Sequence, residues 1–205
     1  MSTIVSLATP DSVANPTIIS GENLEIIGQQ GEKNIVEIKG DSPITFMGGT
    51  MDDTITAGAG DATIVAGDGN DMIKGGIGED ILIGGEGNDT IEGGAGADSI
   101  FGDAGNDILR SGTSGMGSDT IKGGDGADIF EFDAFEFRSG AVDKIVDFQA
   151  DDFADAIKIL GVGEGTVSYD ENTGMVSING KEVIDIGEGL EDLTVEKQDD
   201  TWEIF

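Results

Sequence analysis

The sequence predicts an all-β protein built as a solenoid of stacked parallel strands. Three observations predict it. A nine-residue unit recurs in tandem and keeps one apolar residue in phase. Glycine makes up about one residue in six, against an average of ~7%. Turn signals followed by alternating apolar residues close the C-terminal end.

The clean units are Ala66–Lys74, Gly75–Ile83, Gly84–Glu92, Gly93–Phe101, Gly102–Arg110 and, after a longer unit Ser111–Lys122, Gly123–Glu131. Their consensus is Gly-Gly-x-Gly-x-Asp-x-apolar-x. Gly48–Thr56 is degenerate, with Met51 in place of the third glycine but Asp53 and Ile55 retained. Ala57–Val65 carries Ala62 where Asp is expected. A flexible Gly/Asp linker would not hold Ile73, Leu82, Ile91, Ile100 and Leu109 in register. Glycines allow a tight turn, the last three residues extend as a strand, and one side chain points inward. No single unit can bury that side chain alone, so stacking is obligatory.

Composition excludes much. With no His, Ser-His-Asp hydrolases and His-ligated zinc enzymes are ruled out. With no Cys, thiol catalysis, iron–sulfur clusters and disulfide scaffolds are ruled out. Asp and Glu total 42 against 10 Lys and Arg, a net charge of −32, which opposes binding to nucleic acid or to an anionic membrane surface. No apolar run approaches the ~18 residues of a membrane span. The first ten residues lack the basic start of an ordinary signal peptide.

Over Gly48–Glu131, roughly two-fifths of the chain, the sequence resembles the repeats-in-toxin (RTX) calcium-binding nonapeptide family. The resemblance implies a right-handed parallel β-roll. It also implies Ca2+ between the turns of successive coils, held by the Asp of both turns and by glycine-region carbonyls. Carried onto this chain, those glycines are Gly67, Gly69, Gly76, Gly78, Gly85, Gly87, Gly94, Gly96, Gly105, Gly124 and Gly126.

Alternation of units between two edges divides the carboxylates into two columns. One holds Asp53, Asp71, Asp89, Asp107 and Asp128; the other holds Asp80, Asp98 and Asp119, with Ala62 as a gap. Unneutralised carboxylates ~5 Å apart would repel. Ca2+, which takes six to eight oxygens, suits the turns better than Mg2+, and about six sites are expected.

Four segments follow: an N-terminal arm (1–16), metal-free solenoid coils (17–47), the repeat roll (48–131) and a C-terminal β cap (132–205). Ile26, Ile35 and Ile44, nine apart with Ile18 eight before, extend the solenoid upstream; a separate small sheet is the alternative. The arm reads as a tail, a cap, or a strand added to a neighbour. Downstream, Asp143–Phe148 resembles the segment that follows the roll in the family. Asp170–Gly174 and Asn179–Gly180 read as hairpin turns. The C-terminal Asp199–Phe205 resembles the secretion signals of type I exporter substrates, and also reads as a final edge strand.

No catalytic constellation emerges: there is no His-Glu-x-x-His or Gly-x-Ser-x-Gly, and the ten basic residues that an acidic polysaccharide would need are scattered. The expectation is a secreted, non-enzymatic, calcium-binding structural subunit of a surface layer, matrix or filament. It would cross the envelope through a type I exporter and self-associate through its solenoid ends or its arm. A calcium-dependent adhesin or glycan-binding module is the alternative, and a bare calcium buffer a third.

Overall fold

A computed structural model describes residues 3–6, 17–20, 23–112, 117–135, 137, 140–149, 155–187, 190 and 193–205. In most repeats the strand is longer than the three residues expected from the sequence; Thr54–Thr56 and Ile108–Arg110 keep three. Thr90–Ala95, for example, runs from position seven of one nonamer to position three of the next. The two leading glycines therefore continue the ladder, with Gly94 opposite Gly76. Only positions four to six are left for the turn.

Alternation along such a strand puts three positions inside: the Asp at position six, the apolar residue at position eight and the first glycine of the next unit. The chain winds so that successive strands fall in two sheets. Among the described residues one sheet has eleven strands. It begins at Thr3–Ser6 and passes through Leu24–Ile27, Ile44–Gly49, Ala62–Asp68, Ile81–Glu86, Ser99–Ala104, Thr120–Asp125 and Asp143–Ile145. The other has ten, from Thr17–Ser20 through Ile35–Lys39, Thr54–Thr56, Met72–Ile77, Thr90–Ala95, Ile108–Arg110 and Ile129–Asp133 to Ala156–Leu160. All these neighbours pair in parallel. The protein is a parallel β-solenoid.

The core is two stacked columns. Ile26, Phe46, Ile64, Leu82, Ile100, Ile121 and Ile145 line the first sheet. Val36, Ile55, Ile73, Ile91, Leu109, Phe130 and Ile157 line the second. All are buried.

The upstream coils belong to the same solenoid, but not in the phase that a strict nine-residue period gives. Phe46, twenty residues after Ile26, is its partner, and Ile55 follows Val36 by nineteen, whereas repeat coils advance by eighteen. Consequently Val36, not Ile35, enters the core, and Ile44 stands in the column that Asp80 and Asp98 occupy further on. The longer unit Ser111–Lys122 leaves the register intact: Ile100 still pairs with Ile121 and Leu109 with Phe130. The arm falls partly outside the described residues (7–16), but Thr3–Ser6 forms the terminal strand of the larger sheet.

The outer faces differ. On the smaller sheet, Lys74, Glu92, Arg110, Glu131, Lys158 and Glu203 stand in one cross-strand column, with Lys74–Glu92 at 2.9 Å and Arg110–Glu131 at 2.6 Å. Three of the ten basic residues, scattered in sequence, are thus brought into one column by the winding. On the larger sheet Ile27, Met47, Val65, Ile83 and Phe101 form an outward apolar column.

At the C-terminal end the parallel register gives way to antiparallel hairpins. Lys181–Asp185 joins Asp143–Ile145 in parallel. Met175–Ile178 and Val167–Asp170 then turn back antiparallel, as the hairpin signals predict; Asn179 (φ 53°) and Gly180 (φ 78°) make the tight turn. Thr201–Ile204 is a strand, but it lies between Ala156–Leu160 and Val195–Gln198 rather than at the edge. Phe130, Phe132, Phe137 and Phe148 thicken the core where the roll meets this cap.

Because each coil contributes one large apolar side chain per sheet, truncation of a central one is expected to be costly. Ile91→Ala should destabilise the calcium-loaded protein by roughly 2–5 kcal/mol, measured as the shift in denaturant midpoint at constant calcium.

Candidate metal centre

The position-six carboxylates lie inside the turns, not on their surface. Asp53, Asp71, Asp80, Asp89, Asp98, Asp107, Asp119 and Asp128 are all buried. The two columns expected from the sequence are present. Each Asp places Oδ1 on the main chain of the preceding coil. Oδ1 of Asp71, Asp89, Asp107 and Asp128 accepts the N–H of Asp53, Asp71, Asp89 and Asp107 at 2.6, 2.7, 2.7 and 2.9 Å. On the other edge Asp80, Asp98 and Asp119 accept from Ala62, Asp80 and Asp98 at 2.7, 2.9 and 2.8 Å. The insertion therefore leaves the Asp98–Asp119 and Asp107–Asp128 steps intact.

The second oxygen is different. Oδ2 of Asp71, Asp80, Asp89, Asp98, Asp107 and Asp128 is buried and has no hydrogen-bond partner among the described residues. A buried, ionised and half-satisfied carboxylate is costly. Stacking on a ~4.8 Å spacing adds roughly 3 kcal/mol of repulsion per neighbouring pair at an effective dielectric of ~20. Burial therefore pushes these acids upward from their ordinary 3.8. Asp98, Asp107 and Asp119 rise to about 7, and Asp71 and Asp89 to about 6, with neighbouring carboxylates adding to the effect. Asp53, Asp80 and Asp128 are raised for the same principal reason.

Two kinds of glycine build the space. Positions two and four need the backbone: Gly67, Gly69, Gly76, Gly78, Gly85, Gly87, Gly94, Gly96, Gly105, Gly124 and Gly126 all have φ between 104° and 143°. There a Cβ would also strike the preceding coil, as at Gly87 against the Gly69 carbonyl. Position one, which the sequence reading left out of the site, needs room. A Cβ at Gly75, Gly84, Gly93, Gly102 or Gly123 would collide with Oδ2 of the Asp in the same unit. The unpartnered oxygen thus occupies the volume that glycine leaves open. The absence of any side chain at the first position is the signal that could have identified it.

Three further residues, Asp143, Asp155 and Asn34, extend the columns, and Asp147 bonds beside one of them. Oδ1 of Asp143 accepts the N–H of Asp119 at 2.9 Å, and both Asp143 and Asp155 are buried and raised to about 6. Asp155 accepts from Asp128 N–H (2.9 Å) and Gln149 N–H (2.8 Å), one on each oxygen. Asp147 accepts from Gly123 and Gly124 at 2.9 and 3.0 Å. At the other end Asn34 stands at the Asp position, next to Asp53. On the exposed side of the turns, Asp52, Asn70, Asn88 and Asn106 form a ladder, each side chain accepting the N–H one coil on at 2.7–2.9 Å.

Residues 47–82, 74–109 and 113–135 match the family of RTX calcium-binding nonapeptide repeats, in four copies. The chain carries RTX calcium-binding repeats. No curated protein matches the chain. The match spans the segment in which the RTX turns hold buried, unpartnered Oδ2 atoms. A hard cation that accepts carboxylate and carbonyl oxygens fits that donor set.

The raised acids fix a sign. Between 3.8 and about 7 the folded, metal-free roll binds more protons than the unfolded chain, so its stability falls as pH rises through that window. In chelator the β content should be higher at pH 5 than at pH 8, and a β content that climbs with pH would contradict these environments. With calcium the order should reverse, because the ion must displace protons to bind.

Proposed function

We infer that this protein is a secreted calcium-binding RTX roll whose folding outside the cell is driven by the ion, and which serves there as a non-enzymatic structural subunit. The observation that carries the reading is the set of buried Oδ2 atoms on Asp71, Asp80, Asp89, Asp98, Asp107 and Asp128, each lacking a protein donor among the described residues. These oxygens would hold Ca2+, about one ion per unpartnered oxygen and so about six. Among the described residues no three acidic side chains converge on one point. Backbone carbonyls of the glycine turns would therefore supply much of the remaining coordination. When bound, calcium supplies the positive charge that the columns lack; the chain supplies the carboxylates, the open glycine volume and the stacking that brings them into line.

An ion that binds only the folded state stabilises it by ~2.7 kcal/mol at a hundredfold excess over its dissociation constant. Several such sites suffice to set a thin-cored solenoid between unfolded and folded at the calcium concentrations inside and outside a cell. The polyanion would cross the envelope unfolded through a type I exporter, guided by its acidic and apolar C-terminus, and fold on release. That Thr201–Ile204 is packed as an inner strand of the cap fits a signal read before folding.

A structural role is supported by two features. The sheets begin at short terminal strands, Thr3–Ser6 and Thr17–Ser20, which offer main-chain edges to another copy. The larger sheet carries the outward apolar column from Ile27 to Phe101, with Met47 half exposed.

Calcium stoichiometry, by equilibrium dialysis or native mass spectrometry at neutral pH, tests the metal reading. About six ions are expected, and Asp89→Asn, which neutralises the centre of the longer column, should lose at least one and raise the calcium needed for folding. Wild-type protein that binds no calcium, or an Asp89→Asn variant that binds the wild-type number, would overturn it. Sedimentation at millimolar calcium tests the structural role: assembly is expected, and a monomer at high concentration would contradict it.

A further inference from the structure

The longer carboxylate column ends at a turn that is not a clean repeat. Gly28–Asn34 has glycine at its first and fourth positions, Gly28 and Gly31 (φ 76°), then one extra residue before Asn34, which sits beside Asp53 in the ladder. Asn34 is 5% exposed and Asp53 1%, so this contact is as deep as those of the metal-type turns.

Here the carboxylate is fully satisfied. The Asn34 N–H reaches Asp53 Oδ1 at 2.6 Å. The Asn34 Nδ2 donates to Asp53 Oδ1 and Oδ2, both at 3.1 Å. The same nitrogen approaches the carbonyl oxygens of Gln29 at 3.4 Å and Glu32 at 3.3 Å. The orientation of the amide is fixed, because its Oδ1 accepts the Gln29 N–H at 2.9 Å; the reverse orientation would set the amide oxygen against both carboxylate oxygens.

The Asn34 nitrogen is therefore surrounded by two carboxylate oxygens and two main-chain carbonyls. That is the kind of oxygen set a calcium ion takes, at hydrogen-bond length rather than the ~2.3–2.6 Å of Ca–O contacts. Gly28 leaves it room, since a Cβ there would come 2.9 Å from Nδ2. At the far end of the column Asp155 is likewise satisfied on both oxygens by protein N–H groups. Only the carboxylates between these ends keep an unpartnered Oδ2.

We propose that the Asn34 side-chain amide replaces a calcium ion at the Asn34–Asp53 step, ending the metal column and making the first turn of the roll close without calcium. The inference rests on calcium occupying the unpartnered oxygens further along. It identifies Asn34 as the residue that sets where metal binding begins. The coil it locks then presents a preformed edge on which the metal-dependent coils assemble.

The decisive variant is Asn34→Asp, which exchanges the donor for a second carboxylate and so recreates the repeat's own chemistry. Calcium is counted by native mass spectrometry for wild type, Asn34→Asp and Asp89→Asn. Asn34→Asp should bind one more ion than wild type; a folded variant with the wild-type count overturns the proposal. Failure of the calcium reading is separately visible, because wild type would then bind no ions and Asp89→Asn would change nothing. A second measurement needs no variant. In wild-type protein in chelator, hydrogen exchange at the main-chain amides of Gln29 and Asn34 should be at least about tenfold slower than at Asp71 and Asp89. Equal rates at the four amides would likewise overturn the proposal.

Discussion

One constraint organises this molecule: a buried carboxylate oxygen with nothing to bond. The units headed by Gly75, Gly84, Gly93, Gly102 and Gly123 each turn an Asp inward, give one of its oxygens to the coil before, and leave the other in a space cleared by that glycine. The arrangement is consistent only if positive charge or a proton enters that space. Folding is thereby tied to conditions outside the chain. Acid pH or a bound cation favours the roll, and neutral, metal-free solution opposes it.

The rest of the fold follows from accommodating that constraint. The core is narrow, with one large apolar side chain per strand in the repeats, because carboxylate and glycine take the two flanking inward positions. Such a core cannot offset much unmet charge, so the ends of the solenoid are built from different material. Upstream, Leu24 and Ile44 stand in the carboxylate column of the larger sheet, and Asn34 closes the other. Downstream, Asp155 and Asp147 bond to main-chain N–H groups, and four phenylalanines thicken the core before the sheets turn antiparallel. Ends whose buried carboxylates are met by protein N–H groups enclose a conditional middle.

Much of this was legible in the sequence because the repeat is a physical object with a fixed length. The apolar column from Ile73 to Leu109, the two Asp columns and the hairpins at Asp170–Gly174 and Asn179–Gly180 are local in origin, and spacing alone locates them. What spacing could not locate depends on coil length. Upstream coils of nineteen and twenty residues shift the phase, so Val36 rather than Ile35 enters the core. Asp155 lies twenty-seven residues after Asp128, too far for any nine-residue count, yet it occupies the next place in the column. Asn34 is concealed by a one-residue insertion and by carrying an amide where a carboxylate was sought. The first-position glycines were visible but read as backbone, whereas their part is to leave volume for Oδ2.

The buried, unpartnered carboxylates thus suit the proposed reading, in which folding follows the ion. The most direct test of that account is far-UV circular dichroism of chelated protein at pH 8 during calcium titration, with magnesium as control. The account predicts a cooperative rise in β signal with calcium that magnesium at the same concentration does not reproduce. A full β spectrum already present in chelator at that pH would contradict it, because the buried carboxylates would then be tolerated with neither proton nor metal.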